Sequence, residues 1–175
     1  MHPAAKSGEE LAKELRYEAT RSTGPGGQHR NRVATAIRVY HLPSGLTAMG
    51  TERRSQLENK VEALFRLRRK LALQLRSPVD DELLAAPTLY QPPEAWMRRL
   101  RKGRISVNPT HEDFPALLAV VLDRLAADQD DLERTAAAFR VSKSQLIKFL
   151  GLETAALGGL NDRRQERGQR PLRGH

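Results

Sequence analysis

Cysteine is absent from all 175 residues, which excludes disulfides, thiolate metal sites and a cysteine nucleophile, and suits a reducing cytoplasm. Long apolar runs are missing too. No stretch approaches the roughly 18 apolar residues of a membrane span, and the first residues lack a basic segment followed by an apolar one. We therefore expect a soluble, untargeted cytoplasmic protein with no membrane partner. The five histidines form no His-x-x-x-His pair, so neither a metal nor any other cofactor is expected.

Positive charge is what the chain has in excess. Its 30 Lys and Arg outweigh 21 Asp and Glu, for a formal net charge of +9, a balance that favours a polyanion such as nucleic acid as partner. Most of the excess falls in the first 80 residues; beyond them it is confined to a run at 98–104 and an arginine-rich tail. The length accommodates one ordinary domain or two small ones.

The most unusual local stretch is Arg21-Ser22-Thr23-Gly24-Pro25-Gly26-Gly27-Gln28-His29-Arg30-Asn31. Glycines in this density cannot pack a core. They admit backbone shapes barred to residues with a Cβ and let main-chain N–H groups approach a ligand. The Gly-Lys-Ser or Gly-Lys-Thr that would complete a P-loop does not follow. No Ser-His-Asp or Cys-His set lies near the loop either, so side-chain nucleophilic catalysis has nothing to use.

Around this loop the pattern is mixed. Ser7 followed by Glu10 is a capping-box signature for a short helix through Leu15. Residues 16–22 alternate as a half-buried strand, with Tyr17 and Ala19 on one side and Glu18 and Thr20 on the other. After a brief helix at 31–35, alternation resumes over 36–42, with Ile37 and Val39 inward and Arg38 and Tyr40 outward. Pro43-Ser44-Gly45 supplies a turn, and 46–50 returns as the partner strand. Ser55 with Glu58 is a second capping box, behind which Leu57, Val61, Leu64, Leu71 and Leu75 fall on one helical face, widened by Phe65. Lys60, Arg66, Arg69 and Lys70 occupy the opposite face, where RNA contact is expected. Ser77-Pro78 ends the helix.

Gly26-Gly27-Gln28-His29, Asn31, Ile37-Arg38-Val39, His41-Leu42-Pro43-Ser44-Gly45, Glu52-Arg53-Arg54-Ser55-Gln56 and Asn59-Lys60 stand together in an order that resembles the catalytic domain of class I peptide-chain release factors and their small ribosome-rescue relatives. The resemblance runs roughly from Tyr17 to Leu75. It implies an α+β unit, a few-stranded sheet with a long covering helix, and an activity: hydrolysis of the ester joining a nascent peptide to tRNA. Gly26, Gly27 and Gln28 are the implied catalytic residues, the Gln28 main-chain N–H facing the oxyanion and its side chain orienting water. Arg21, Ser22, His29, Arg30, Arg53, Arg54, Ser55 and Gln56 are the implied RNA-binding positions. His29 is placed against RNA or in support of the loop in preference to general-base work. Implied partners are large-subunit ribosomal RNA and peptidyl-tRNA, met as a monomer.

Residues 77–93 hold several prolines and an acidic cluster without sustained periodicity, which marks a linker between a catalytic domain at 7–76 and a second domain at 94–175. The second domain is expected to be all-α. The run Arg98, Arg99, Arg101, Lys102, Arg104 fits either a solvated helix face or an RNA contact. Thr110 with Asp113 marks the start of a helix whose apolar face is Phe114, Leu117, Leu118, Val121, Leu122 and Leu125. A helix at 131–138, a break near 139–141 and a capped helix from Ser142 through Leu150 suggest a helix-turn-helix-like segment, although Arg140 stands where such a turn usually carries glycine. Nucleic-acid docking and a structural helical bundle both fit. In the tail, Arg163, Arg164, Arg167 and Arg170 are expected to bind RNA.

Neither a Pro-x-Thr nor a Ser-Pro-Phe codon-reading motif occurs, so the resemblance points to rescue of stalled ribosomes without a stop codon. Two other classes fit the same residues. One is a non-catalytic ribosome- or RNA-binding protein whose glycine loop cradles phosphate, and the other a helix-turn-helix nucleic-acid-binding regulator.

Overall fold

The computed structural model describes residues 1–20 and 35–174. The expected brief helix at 31–35 therefore lies almost wholly outside the described residues. Helix α1 (Gly8–Ala12) opens with the full capping box: Glu10 N–H donates to Ser7 Oγ at 3.2 Å and Ser7 N–H to the Glu10 carboxylate at 3.0 Å. It is shorter than expected because β1 (Leu15–Thr20) begins straight afterwards. β1 pairs antiparallel with β2 (Ala36–His41), and β2 with β3 (Thr47–Gly50), in the order β1-β2-β3. Ile37 and Val39 point inward as their alternation requires, while on the edge strand Tyr17 is half-buried and Ala19 exposed. The β2–β3 turn takes Gly45 to φ +72°, where glycine avoids a Cβ clash. His41, buried beneath it, joins Ser44 Oγ through Nδ1 (2.7 Å) and Glu14 through Nε2 (3.2 Å).

Helix α2 (Gln56–Gln74) covers the sheet, its N-terminus capped by Ser55 Oγ, which accepts from Glu58 N–H. Its buried row is Asn59, Ala63, Leu67 and Leu71, rotated from the expected one; Leu57 and Val61 are 71% and 64% exposed. The reason is a close approach. A Cβ on Gly50 would stand 2.1 Å from the Asn59 carbonyl oxygen, so helix and strand backbones meet at a glycine and small or polar side chains, which turns the bulkier Leu57 and Val61 outward.

On its other side α2 packs against α5 (Phe114–Ala127). Between them the 77–93 stretch is more regular than its composition suggests: α3 (Asp81–Ala85) is capped by Asp80, and a 3-10 turn spans Pro87–Leu89. Next comes α4 (Glu94–Met97), and then a difference from the all-α expectation. The basic run forms a small hairpin, β4 (Leu100–Arg101) with β5 (Arg104–Ile105), because Lys102 and Gly103 both take positive φ (49° and 71°), the geometry of a tight hairpin turn. α5 starts at Phe114, later than Thr110 suggests, since the Asp113 carboxylate is held by Arg99 at 2.6 Å and caps nothing. Its expected apolar face is buried throughout.

α6 (Leu132–Ala138), α7 (Lys143–Gly151) and α8 (Thr154–Glu166) complete the fold. Arg140, between α6 and α7, takes φ +57°. The Trp96 ring lies 4.8 Å from that of Phe139 and 5.1 Å from that of Phe149, and its Nε1–H donates to the Phe139 carbonyl at 3.0 Å. A buried carboxylate ties α5 to α6: Asp128, at the end of α5, accepts from Arg124 Nε of α5 at 2.7 Å and from Thr135 Oγ and Arg134 Nε of α6 at 2.9 and 3.1 Å. With this many donors the buried charge is compensated.

The Gly50 contact gives a direct test of the packing. Gly50→Ala must push α2 off β3 or bend the strand, and the expected loss is about 1–3 kcal/mol, typical of overpacking. Urea unfolding of the variant beside the parent checks it.

Candidate functional site

Of the expected site, Arg21, Ser22, Gly26, Gly27, Gln28, His29 and Arg30 lie outside the described residues. The frame that carries them is well defined. Thr20, the last residue of β1, pairs directly with Ala36, the first of β2, so the intervening segment leaves and re-enters the fold at one end of a two-strand ladder. Antiparallel pairing thereby fixes Thr20 and Ala36, which stand on either side of that segment.

One side chain secures the returning end. Asn59 is fully buried, and its Nδ2 donates to the Thr35 carbonyl at 2.7 Å and to the Arg53 carbonyl at 2.9 Å, while its Oδ1 accepts from Arg53 N–H at 2.9 Å. Both amide hydrogens and one oxygen are used. A single amide thus joins the residue before β2, the lead-in to α2 and the first turn of α2. Sequence reasoning noted Asn59 as part of the resemblance but gave it no role; the signal was a polar residue set in the otherwise apolar row 59, 63, 67, 71.

The clamp holds the backbone of Arg53 and leaves its side chain outward. Arg53, Arg54, Ser55 and Gln56 are all exposed, gathered beside the returning end of the loop segment. Among the described residues neither the Arg53 nor the Arg54 guanidinium has a partner, the state in which a cation can take a phosphate. Next to them Glu52 is engaged: the Thr51 N–H (3.0 Å) and then Arg66 (2.9 Å) hold its carboxyl down at about 2. The outer face of α2 offers fewer cations than its sequence suggests. Arg66 also bonds Glu62 and the Met49 carbonyl, Arg69 bonds Glu153 at 2.8 Å, Lys70 bonds the Thr47 carbonyl, and Lys60 sits 4.5 Å above the Tyr17 ring.

The tail arginines are not brought to this place. They lie on α8 and just beyond it, where Arg163 bonds Asp130 at 2.8 and 2.9 Å, Arg167 pairs with the same carboxylate at 3.2 Å, and Arg164 bonds the Arg170 carbonyl at 3.1 Å. The hydrogen bonds from Arg163 pull Asp130 below the usual carboxylate range.

Two outcomes test the frame. Asn59→Ala strands the Thr35 carbonyl and both Arg53 backbone groups, and a stability loss of about 1–3 kcal/mol is expected in denaturant unfolding. For Glu52 the sign follows from its lowered pKa: its contribution is fully present above the ordinary value of 4.5 and disappears as pH falls from there toward about 2. Melting temperature measured down that range should fall less steeply for Glu52→Gln than for the parent.

Comparison with known proteins agrees with this frame. The RF-1 domain model matches residues 9–88. Peptide chain release factor 1 of Rhodospirillum rubrum is 45% identical over 69 residues, which are 39% of this chain and 20% of that protein. The chloroplastic peptide chain release factor PrfB1 of Arabidopsis thaliana is 47% identical over 70 residues, 39% of this chain and 15% of that one. Peptide chain release factor RF2 of Thermus thermophilus is 39% identical over 95 residues, 54% and 25% of the two chains. The chain spans a quarter or less of the length of these relatives. With the strand frame, the Asn59 clamp and the Gly-Gly-Gln tripeptide all inside the matched span, residues 9–88 are an RF-1 domain of the class I peptide-chain release-factor family.

Proposed function

We propose that this protein hydrolyses the ester of peptidyl-tRNA on stalled ribosomes without reading a stop codon, as a cytoplasmic monomer that meets large-subunit RNA and peptidyl-tRNA. The observation that carries the proposal is the rigid base under the glycine stretch: Thr20 paired with Ala36, and Asn59 fastened to Thr35 and Arg53. A short loop on such a base can be inserted into a crowded site and keep its main-chain donors aimed. Water adds to the ester carbonyl carbon, and the negative charge that develops on the carbonyl oxygen is met by the Gln28 N–H. The tetrahedral intermediate then collapses, the ribose oxygen leaves with a proton, and the peptide departs as an acid. Gly26 and Gly27 permit the backbone turn, and the Gln28 side chain admits water while blocking larger nucleophiles. Arg53 and Arg54 grip phosphates beside the loop.

Independence from a stop codon is supported by the residues beyond the matched span, which form helices and a basic hairpin. Such a hairpin offers phosphate-binding chemistry, which positions a protein without reading bases. The division into a catalytic part at 7–76, a connecting stretch at 77–93 and a second part at 94–175 belongs to this proposal, with α2 as the element that faces both.

Peptide release from purified ribosome complexes lacking a stop codon is the test. Gln28→Pro removes the N–H and should lower the release rate by the equivalent of about 2.7–4 kcal/mol, as for a missing oxyanion donor. Gln28→Ala keeps the N–H and should retain much of the rate while accepting small amine nucleophiles. Equal losses in the two variants, with ribosome binding intact, would move the catalysis to the side chain.

A further inference from the structure

The β4–β5 hairpin and helix α7 enclose an open groove of about 520 Å³ at some distance in sequence from the glycine loop. Arg104, Ser106, Gln145 and Lys148 provide its polar lining, Ile105, Val107 and Leu152 much of its apolar floor, and no carboxylate lines it. Arg101 and Lys102 stand exposed on the same hairpin. In the same part several cations are matched by carboxylates: Arg163 and Arg167 by Asp130, Arg99 by Asp113, Lys143 by Glu133. Among the described residues Arg101, Lys102, Arg104 and Lys148 have no carboxylate partner. Positive charge in this half is therefore available at the groove, while at the tail Arg163 and Arg167 share one carboxylate.

We propose that this groove binds one unpaired RNA strand, its phosphates between Arg104 and Lys148 with Arg101 and Lys102 continuing the track, and one base lying on the aliphatic floor. The geometry favours a single strand for two reasons. A row of cations suits a polymer with a phosphate at every unit, and an apolar floor is covered only by a base whose face is open, which a duplex buries within its stack. Gln145 and Ser106 add neutral donors and acceptors for sugar or base edges. The tight turn at Lys102-Gly103 holds two of the cations on a short, twisted two-strand unit, so little freedom besides that of their own side chains is given up on binding. The inference rests on the proposed ribosomal role only for the source of the strand.

The test uses the full chain and a fluorescent oligouridylate of about eight nucleotides. Arg104→Ser with Lys148→Ser should weaken binding roughly ten-fold or more, and the log–log salt slope should flatten by about 0.7 for each phosphate no longer neutralised. Lys13→Ser with Arg173→Ser removes the same formal charge from exposed positions and should change neither quantity materially. Arg104→Gln with Lys148→Gln repeats the experiment with a different replacement, and unchanged circular dichroism melts exclude misfolding. A 4-thiouridine oligonucleotide should crosslink within residues 101–107 or 145–152. Unchanged affinity and slope, equal weakening in the control pair, crosslinks confined elsewhere, or equal preference for duplex RNA would each overturn the assignment. Loss of a Glu-rich peptide's binding with RNA binding intact would also overturn it, making the groove a peptide site. Peptide release separates the two readings, since failure of oligonucleotide binding leaves the Gln28 comparison standing and failure of release leaves the groove standing.

Discussion

The end of the sheet where β1 stops and β2 starts depends on how closely α2 can approach. Gly50 offers no side chain at the point where the Asn59 carbonyl comes nearest, and that approach puts the Asn59 amide within reach of Thr35 and Arg53 at once. A larger residue at 50 would displace the helix, and the amide with it. The described residues on either side of 21–34 are thus held twice: Thr20 and Ala36 are strand-paired with each other, and Thr35 is fastened through a helix residue. Backbone that is fixed at its ends needs less binding energy to be brought into a reactive geometry.

The fold was legible where one principle governs each residue. The serine N-caps at Ser7, Ser55 and Ser142, of which only Ser7 completes the reciprocal box, the alternation of Ile37 and Val39, the turn at Gly45 and the apolar face of α5 all obey local rules. Two features were not. Leu57 and Val61 have the hydrophobicity of core residues, yet a glycine in a neighbouring strand decides which helix face turns inward. Residues 98–104 carry charge that masks their β-turn, and Lys102 takes a left-handed backbone that its type does not announce.

The site divides in the same way. The exposure of Arg53 and Arg54 was legible because a helix lead-in is a local property. Asn59 received no role because its importance is a matter of three backbone groups, one of Thr35 and two of Arg53, brought to one helix residue by the fold. The pairing of Arg163 and Arg167 was not legible because Asp130, which answers both, lies more than 30 positions earlier in the chain. Pairing across such a separation leaves no trace in composition.

That double pairing at Asp130 separates two quantities that a formal charge of +9 combines. At distances near a Debye length, about 8 Å at physiological salt, an approaching polyanion feels the sum of all charges, and a paired arginine is largely cancelled by its carboxylate. At contact, only a cation with a vacant donor can form a bond. Approach is therefore governed by the overall excess of base, and grip by a much smaller set of side chains. Steering and holding can in this way be tuned by different residues of the same chain.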